Sequence, residues 1–316
     1  MNKLNIDDEF SLRLFLSADL IGSTALKSKA IGVEIKPLWL DTFQDFYNEF
    51  PVVFKGEQQR LKCQSIDFWK GIGDELLWTT ILAKGDDAIS TLRAFKLSIE
   101  EYNRRLDTSG KKVRLKGTAW IAGFPITHRK VPLPNEGFDY IGPYIDTGFR
   151  LSKFASQMKM VISVDLAWLI LICLNCKSTP EERGDLALWF DESESMKSVL
   201  GGKPYPIIWI KCESQLEALE YKLRHSLRDN NHDEGRKELK EFCEAFITST
   251  DDKIILPYIL SDDLFNQTPH KSYKEWCEQK DKEPLDISDD NQFVDSKDEL
   301  AAGDLNENIK FVKADE

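Results

Sequence analysis

The sequence lacks what would place it in a membrane, outside the cell or on a nucleic acid. Its longest apolar run, Val161 to Leu174, is interrupted by Asp165 and falls short of the roughly 20 residues needed to cross a bilayer. Met1 to Phe10 are polar and acidic, with no basic segment leading into an apolar one, so no signal peptide is expected. Cysteine is scarce, six in 316 residues, which does not look like a disulfide framework. Histidine is scarcer still at four, and none supplies the second pair that Cys173-x-x-Cys176 would need for zinc. Those two cysteines read as small buried hydrophobes. A cytoplasmic, reduced protein is the simplest expectation. Positive charge is also in deficit, with 42 basic against 54 acidic side chains and a net charge of −12. Such a chain repels phosphate polymers, so no nucleic-acid partner is expected. Any phosphate ligand must be met by a local arrangement of amides, metal ions and a few cations.

Apolar material is plentiful. At 41% hydrophobic, with 18 Phe and 8 Trp, the chain can build a real core. The acidity is concentrated at one end, where twelve acids and four lysines fall within residues 281–316. That stretch has almost no apolar periodicity and reads as a solvated, disordered tail. Leu216, Leu219, Leu223 and Leu227, and then Leu239, Phe242, Cys243 and Phe246, recur at helical spacing. The expected division is therefore a body over 1–212, a helical extension over 213–280 and an acidic tail over 281–316.

Within the body, strand-like and helix-like runs alternate irregularly. Leu12 to Ala18 reads as a strand ending at Asp19, followed by a turn and a helix start. Leu38 to Phe50 has amphipathic helical spacing, and Pro51 is expected to end it. Ser65 to Lys70 and Glu75 to Leu82 read as a hairpin with an acid at its tip. A helix over Asp86 to Arg105 and a strand over Val113 to Gly123 come next. A loop around Pro125 to Asn135 follows, and then a helix over Ile145 to Gln157. Strands over Met160 to Val164, Leu186 to Phe190 and Pro206 to Lys211 complete the body. The expectation is an α+β fold with a mixed, mainly antiparallel sheet flanked by helices.

Three short segments carry candidate chemistry. Asp19 stands at a strand end before Ile21-Gly22-Ser23-Thr24, where a carboxylate can ligate a hard cation and the Gly22, Ser23 and Thr24 amides can hold phosphate oxygens. An N-cap and a turn are the plainer account of that segment alone. Asp74 sits at the hairpin tip in KGIGDELLW, also an ordinary turn by itself. Asp146 and Arg150 lie four apart in YIGPYIDTGFR, a spacing that a surface ion pair would explain equally well. The ordered set of three is far more specific than any one of them.

That set resembles the class III nucleotidyl cyclases over roughly Leu12 to Lys211. ADLIGST stands at the family's first metal aspartate and phosphate loop, GIGDELLW at its second metal aspartate, and YIGPYIDTGFRLSKFAS at its transition-state helix. The resemblance implies the family's ferredoxin-like, palm-type version of the α+β fold. It also implies two divalent cations, Mn2+ or Mg2+, held by Asp19, Asp74 and the Ile21 carbonyl, with Arg150 meeting charge on the α-phosphate. The implied homodimer shares its sites between chains, and Lys203 becomes a triphosphate contact. Two departures matter. Asp146 stands where the family usually has Asn, while Lys70 and Asp139 fall where adenylyl cyclases read adenine. The Asp-x-Gly-Phe-Arg helix followed by KMVISVDLAW is similar to the pyrimidine cyclases of the bacterial Pycsar anti-phage system. That likeness implies UTP, with CTP second, as substrate, Tyr47 as a base-selecting residue, and a separate effector protein that senses the product. An adenylyl cyclase and a catalytically inactive cyclase-like binding domain are the alternatives.

Overall fold

The computed structural model describes residues 10–28, 38–134, 137–176, 179–212, 232–250, 252–266, 270–273 and 275. The tail at 281–316 and the expected helix around Leu216 to Leu227 lie outside them. Nine strands and seven helices are described below. The strands are β1 (Leu12–Ile21), β2 (Asp67–Ile72), β3 (Glu75–Ile81), β4 (Arg114–Gly123), β5 (Arg129–Pro132), β6 (Phe138–Ile141), β7 (Lys159–Ile162), β8 (Leu188–Glu194) and β9 (Tyr205–Lys211). The helices are α1 (Ser23–Ser28), α2 (Leu38–Arg60), α3 (Gly85–Thr108), α4 (Pro143–Leu151), α5 (Val164–Cys176), α6 (Pro180–Asp185) and α7 (His232–Thr248).

Seven strands form one sheet in the order β2-β3-β1-β4-β7-β9-β8, and β5 and β6 form a separate hairpin. All neighbours in the large sheet run antiparallel except β4 and β7. This is the expected α+β class with a mixed, mainly antiparallel sheet flanked by helices.

Strand alternation explains why the sheet has two different faces. Leu12, Leu14, Leu16, Ala18 and Leu20 of β1, with Leu76, Trp78, Ala119 and Ile121, join the larger core, to which α2, α3 and α5 contribute. Phe15, Leu77, Trp120 and Ala122 point the other way and join Tyr140 and Ile145 in a second, smaller cluster. That second face carries α4, because Ile145, Gly148 and Leu151 are its buried positions and β4 lies beneath it. Continuing the alternation along β1, β3 and β4 puts Ser17, Asp19, Glu75 and Lys116 on the α4 face too.

Three expectations need correction. Pro51 does not end α2, which continues to Arg60. Interior proline costs about 3 kcal/mol. Here the helix buries Phe46, Phe50, Val53 and Phe54 along one side, and a buried Phe contributes about 1.5–3 kcal/mol. The burial outweighs the break. The segment read as a loop around Pro125 to Asn135 contains β5, which pairs with β6 from Arg129↔Ile141 to Pro132↔Phe138. The helix expected from Ile145 to Gln157 is also shorter, starting at Pro143 and ending at Leu151, with one 3-10 turn over Ser152–Phe154.

Beyond β9, α7 packs on α5, with Cys243 and Ile247 buried and Trp168 donating its indole N–H to Glu244 at 3.0 Å. The segment after α7 returns to the body. Asp262 accepts the Gly85 amide at 2.7 Å, and Tyr144 accepts the Ile255 amide at 2.6 Å.

Candidate active site

The end of β1 and the β2-β3 turn bring two carboxylates into one electrostatic environment. Asp19 lies opposite Glu75 on one side of β1 and opposite Lys116 on the other. Asp74 occupies the turn between β2 and β3, where its carbonyl accepts the Leu20 amide at 3.2 Å and its carboxylate accepts the Ser23 hydroxyl. Burial raises the Asp19 carboxyl above its usual range, Lys116 pulls it back, and the Asp74 charge pushes it up further. Glu75, whose carboxylate accepts the Ser17 hydroxyl, is likewise raised by burial, with a further push from Asp19.

Lys116 ties this corner to α4. Its ammonium is 3.1 Å from Asp19 Oδ2 and donates to the Ser152 carbonyl at 2.9 Å, immediately beyond the helix that carries Arg150. The sequence reading missed both Lys116 and Glu75. The only signal for Lys116 was its even spacing from Trp120, which places it on that face once the β1-β4 register is known.

The remaining candidates fall into five groups. Ile21 ends β1, and Gly22, with φ at +88°, leads into α1, which begins with Ser23 and Thr24. Lys70 and Asp139 meet as an ion pair at 2.7 Å, and the Lys70 ammonium lies 4.3 Å from the centre of the Trp69 ring. Tyr47 donates to the Gly73 carbonyl at 2.8 Å, next to the Asp74 turn, and a side-chain carbon at Gly71 would meet its hydroxyl at 3.0 Å. Asp146 and Arg150 line a cavity of about 470 Å3, which has none of Asp19, Asp74, Lys70 and Asp139 in its wall. They do not form the surface ion pair with each other that their spacing allowed. Lys203 points to the C-terminal segment, donating to the Ser249 carbonyl at 3.3 Å.

Gly148 sets the position of α4. A carbon added there would lie 2.1 Å from Trp120 Cδ2 and 2.3 Å from its Cε2, so only glycine lets the helix rest against the indole.

Two oxygen-donor carboxylates beside a strand-end carbonyl suit a hard divalent cation, which would offset the burial and the Asp74 charge that together raise Asp19. Among the described residues no group of three or more metal-ligating side chains gathers. A pair of carboxylates leaves the rest of such a cation's coordination to water and ligand oxygens. No helix among the described residues is long and apolar enough to cross a membrane.

No protein-family model matches this chain, and no curated protein does. Solved structures similar to it include the adenylyl cyclase CyaB from P. aeruginosa, at 12% identity and a TM-score of 0.45, over 66% of this chain and 96% of that one. Another is the guanylate cyclase domain of RhGC from Catenaria anguillulae in complex with GTP, at 15% identity and a TM-score of 0.45, over 65% and 98%. The guanylyl cyclase Cya2 is similar at 14% identity and a TM-score of 0.43, over 63% and 91%. Similarities of this size carry no conclusion about chemistry, which rests on the site itself.

Proposed function

We propose that this protein is a nucleotidyl cyclase that converts a nucleoside triphosphate into its 3′,5′-cyclic monophosphate and pyrophosphate. UTP is the favoured substrate and CTP the second. The observation that carries this reading is the pairing of Asp19 and Asp74 at one end of the sheet, with Ser23 on Asp74 and Lys116 on Asp19. Asp19, Asp74 and the Ile21 carbonyl would hold two divalent cations, Mn2+ or Mg2+. When bound, these cations favour loss of the ribose 3′-hydroxyl proton and neutralise the leaving pyrophosphate.

In the reaction the 3′-oxygen forms a bond to the α-phosphorus as the bond from that phosphorus to the bridging oxygen of the β-phosphate breaks. The hydroxyl proton passes to solvent. Arg150 meets the charge that grows on the α-phosphate. The amides of Gly22, Ser23 and Thr24 approach the phosphate chain, and Asp146 accepts from a ribose hydroxyl. Within one chain Arg150 and Asp146 face a cavity that Asp19 and Asp74 do not share. This separation supports a homodimer in which Arg150 of one chain completes the metal site of the other. The preference for a pyrimidine rests on the Asp146-x-Gly148-Phe149-Arg150 helix and on Tyr47 beside the Asp74 turn. The product then acts as a second messenger for anti-phage defence, read by a separate effector protein.

Adenylyl cyclase activity is the second reading, favoured by the Lys70–Asp139 pair, which offers a donor and an acceptor side by side. Purified protein incubated with Mn2+ and each of the four nucleoside triphosphates, with products resolved by chromatography, separates the readings. Cyclic UMP as the main product supports the first. Cyclic AMP alone supports the second. No cyclic product from any of the four leaves a binding domain only.

A further inference from the structure

The cavity beneath α4 holds more than α4 brings to it. Its wall includes Arg150 and Tyr144 from the helix, Trp120 from β4, Tyr205 from β9, and Lys253 from the segment that returns after α7. Neither Arg150 nor Lys253 has an ion-pair partner among the described residues. Trp120 is 1% exposed, and its indole N–H meets no acceptor. A buried donor left without an acceptor costs about 1–3 kcal/mol, which an acceptor brought by a ligand would recover. The Tyr144 and Tyr205 hydroxyls accept the Ile255 and Val164 amides at 2.6 and 3.0 Å, and each keeps its own proton to donate.

The same wall also carries three acids, of which Asp252 alone is ion-paired among the described residues. Asp252 is held by His270 at 3.1 Å and Lys271 at 2.6 Å. Asp165 accepts the Leu166 amide at 3.0 Å. Asp146 remains, one helical turn before Arg150. Beside Asp146 and Asp165, the cavity lining offers two cations without an ion-pair partner among the described residues and a set of N–H and O–H donors. That is the chemistry of an oxyanion site.

We propose that this cavity binds a phosphate-type anion, with Lys253 as the second cation beside Arg150. The anion is either the phosphate end of a bound nucleotide or a free phosphate or pyrophosphate ion. The first source rests on the cyclase reading, and the second stands without it. Lys253 lies outside the 1–212 body, whereas Lys203, the cation that the resemblance implied, donates to the Ser249 carbonyl.

Isothermal titration with pyrophosphate and with inorganic phosphate in EDTA isolates this cavity from the metal site. Pyrophosphate is expected to bind the wild-type chain, to bind Lys253→Gln about ten-fold more weakly, and to bind Lys253→Arg within about three-fold of wild type. Circular dichroism checks that both variants fold. If the nucleotide supplies the anion, Lys253→Gln also raises KM for the triphosphate about ten-fold, with kcat falling less. If a free anion supplies it, KM is unchanged while pyrophosphate binding weakens. A chain that makes no cyclic product, yet loses pyrophosphate binding in Lys253→Gln, refutes the cyclase reading and upholds this site. Pyrophosphate binding that is absent from wild type, or equal in wild type and Lys253→Gln, overturns the proposal.

Discussion

Lys70 donates to both carboxylate oxygens of Asp139, at 2.7 and 2.8 Å, and joins the β2-β3 hairpin to β6. An edge of a nucleobase has to compete with this pair before either residue can read it. With UTP as substrate, Asp139→Ala is expected to lower turnover by less than about three-fold while cutting any ATP side activity by about ten-fold, the scale of one charge-assisted hydrogen bond. Competition assays with the two triphosphates read this directly. An equal loss for both would remove the distinction between the readings.

Tyr47 is tied to the turn of the same hairpin through the Gly73 carbonyl. Tyr47→Phe removes that hydrogen bond and keeps the ring, while Tyr47→Ala removes both. Discrimination between UTP and ATP is expected to fall about five- to ten-fold in Tyr47→Ala. Unchanged discrimination in the ratio of kcat/KM values would dismiss Tyr47 as a base-selecting residue.

Gly148→Ala drives a methyl group into the Trp120 indole. Overpacking of this kind costs about 1–3 kcal/mol. The expected readout is a Tm lower by several degrees, together with a loss of activity out of proportion to the stability change, because Asp146 and Arg150 ride on the displaced helix. A combined Gly148→Ala, Trp120→Leu variant should recover part of the Tm.

Asp165 gives a pH signature. Burial pushes its carboxyl up from 3.8 to about 6. The folded chain therefore binds this proton more tightly than the unfolded one, and the associated stability is present below about pH 4 and lost as pH rises through about 6. The full difference corresponds to about 3 kcal/mol. Asp165→Asn is expected to melt higher than wild type at pH 7.5, with the gap closing at pH 4. A gap of the same size at both pH values would show that the carboxylate charge is not its source.

The raised carboxyls of Asp19 and Glu75 make a related statement about metal. Without cations these groups destabilise the fold progressively as pH rises through and above the carboxylate range, and a bound divalent ion reverses that. At a concentration about 100 times its Kd, Mn2+ should stabilise the wild type by about 2.7 kcal/mol and leave Asp74→Asn almost unmoved. Nucleoside triphosphate binding should weaken in EDTA to the level that pyrophosphate shows there. Binding as tight in EDTA as with Mn2+ would contradict the metal assignment.

How much of this was legible in the sequence follows from where the information lies. The β1 strand ending at Asp19 and the turn holding Asp74 are local patterns, visible as apolar runs and turn residues. Lys116 and Glu75 were not legible, because their nearness to Asp19 is set by the register across β3, β1 and β4 and not by spacing along the chain. The β5-β6 hairpin hid among prolines and glycines. Pro51 looked like a stop because its cost is local, whereas the burial of Phe46, Phe50 and Phe54 that overrides it is tertiary. Lys253 joins Arg150 through the packing of a segment about 100 residues further on, which no motif announces.

The acidity of the chain also has a sharper meaning at the site. Asp19, Asp74 and Glu75 share one corner with a single lysine, Lys116. On the proposed reading a triphosphate enters that corner only with cations, and the Arg150 that meets it comes from another chain. Mixing two inactive variants tests this most directly. Asp74→Ala and Arg150→Ala should each lose nearly all cyclase activity alone, and co-refolded in equal amounts they should regain about a quarter of wild-type activity. Half of the dimers are then mixed, and each mixed dimer has one intact site. A mixture as inactive as its components, or full activity in Asp74→Ala alone, would contradict the shared two-metal site.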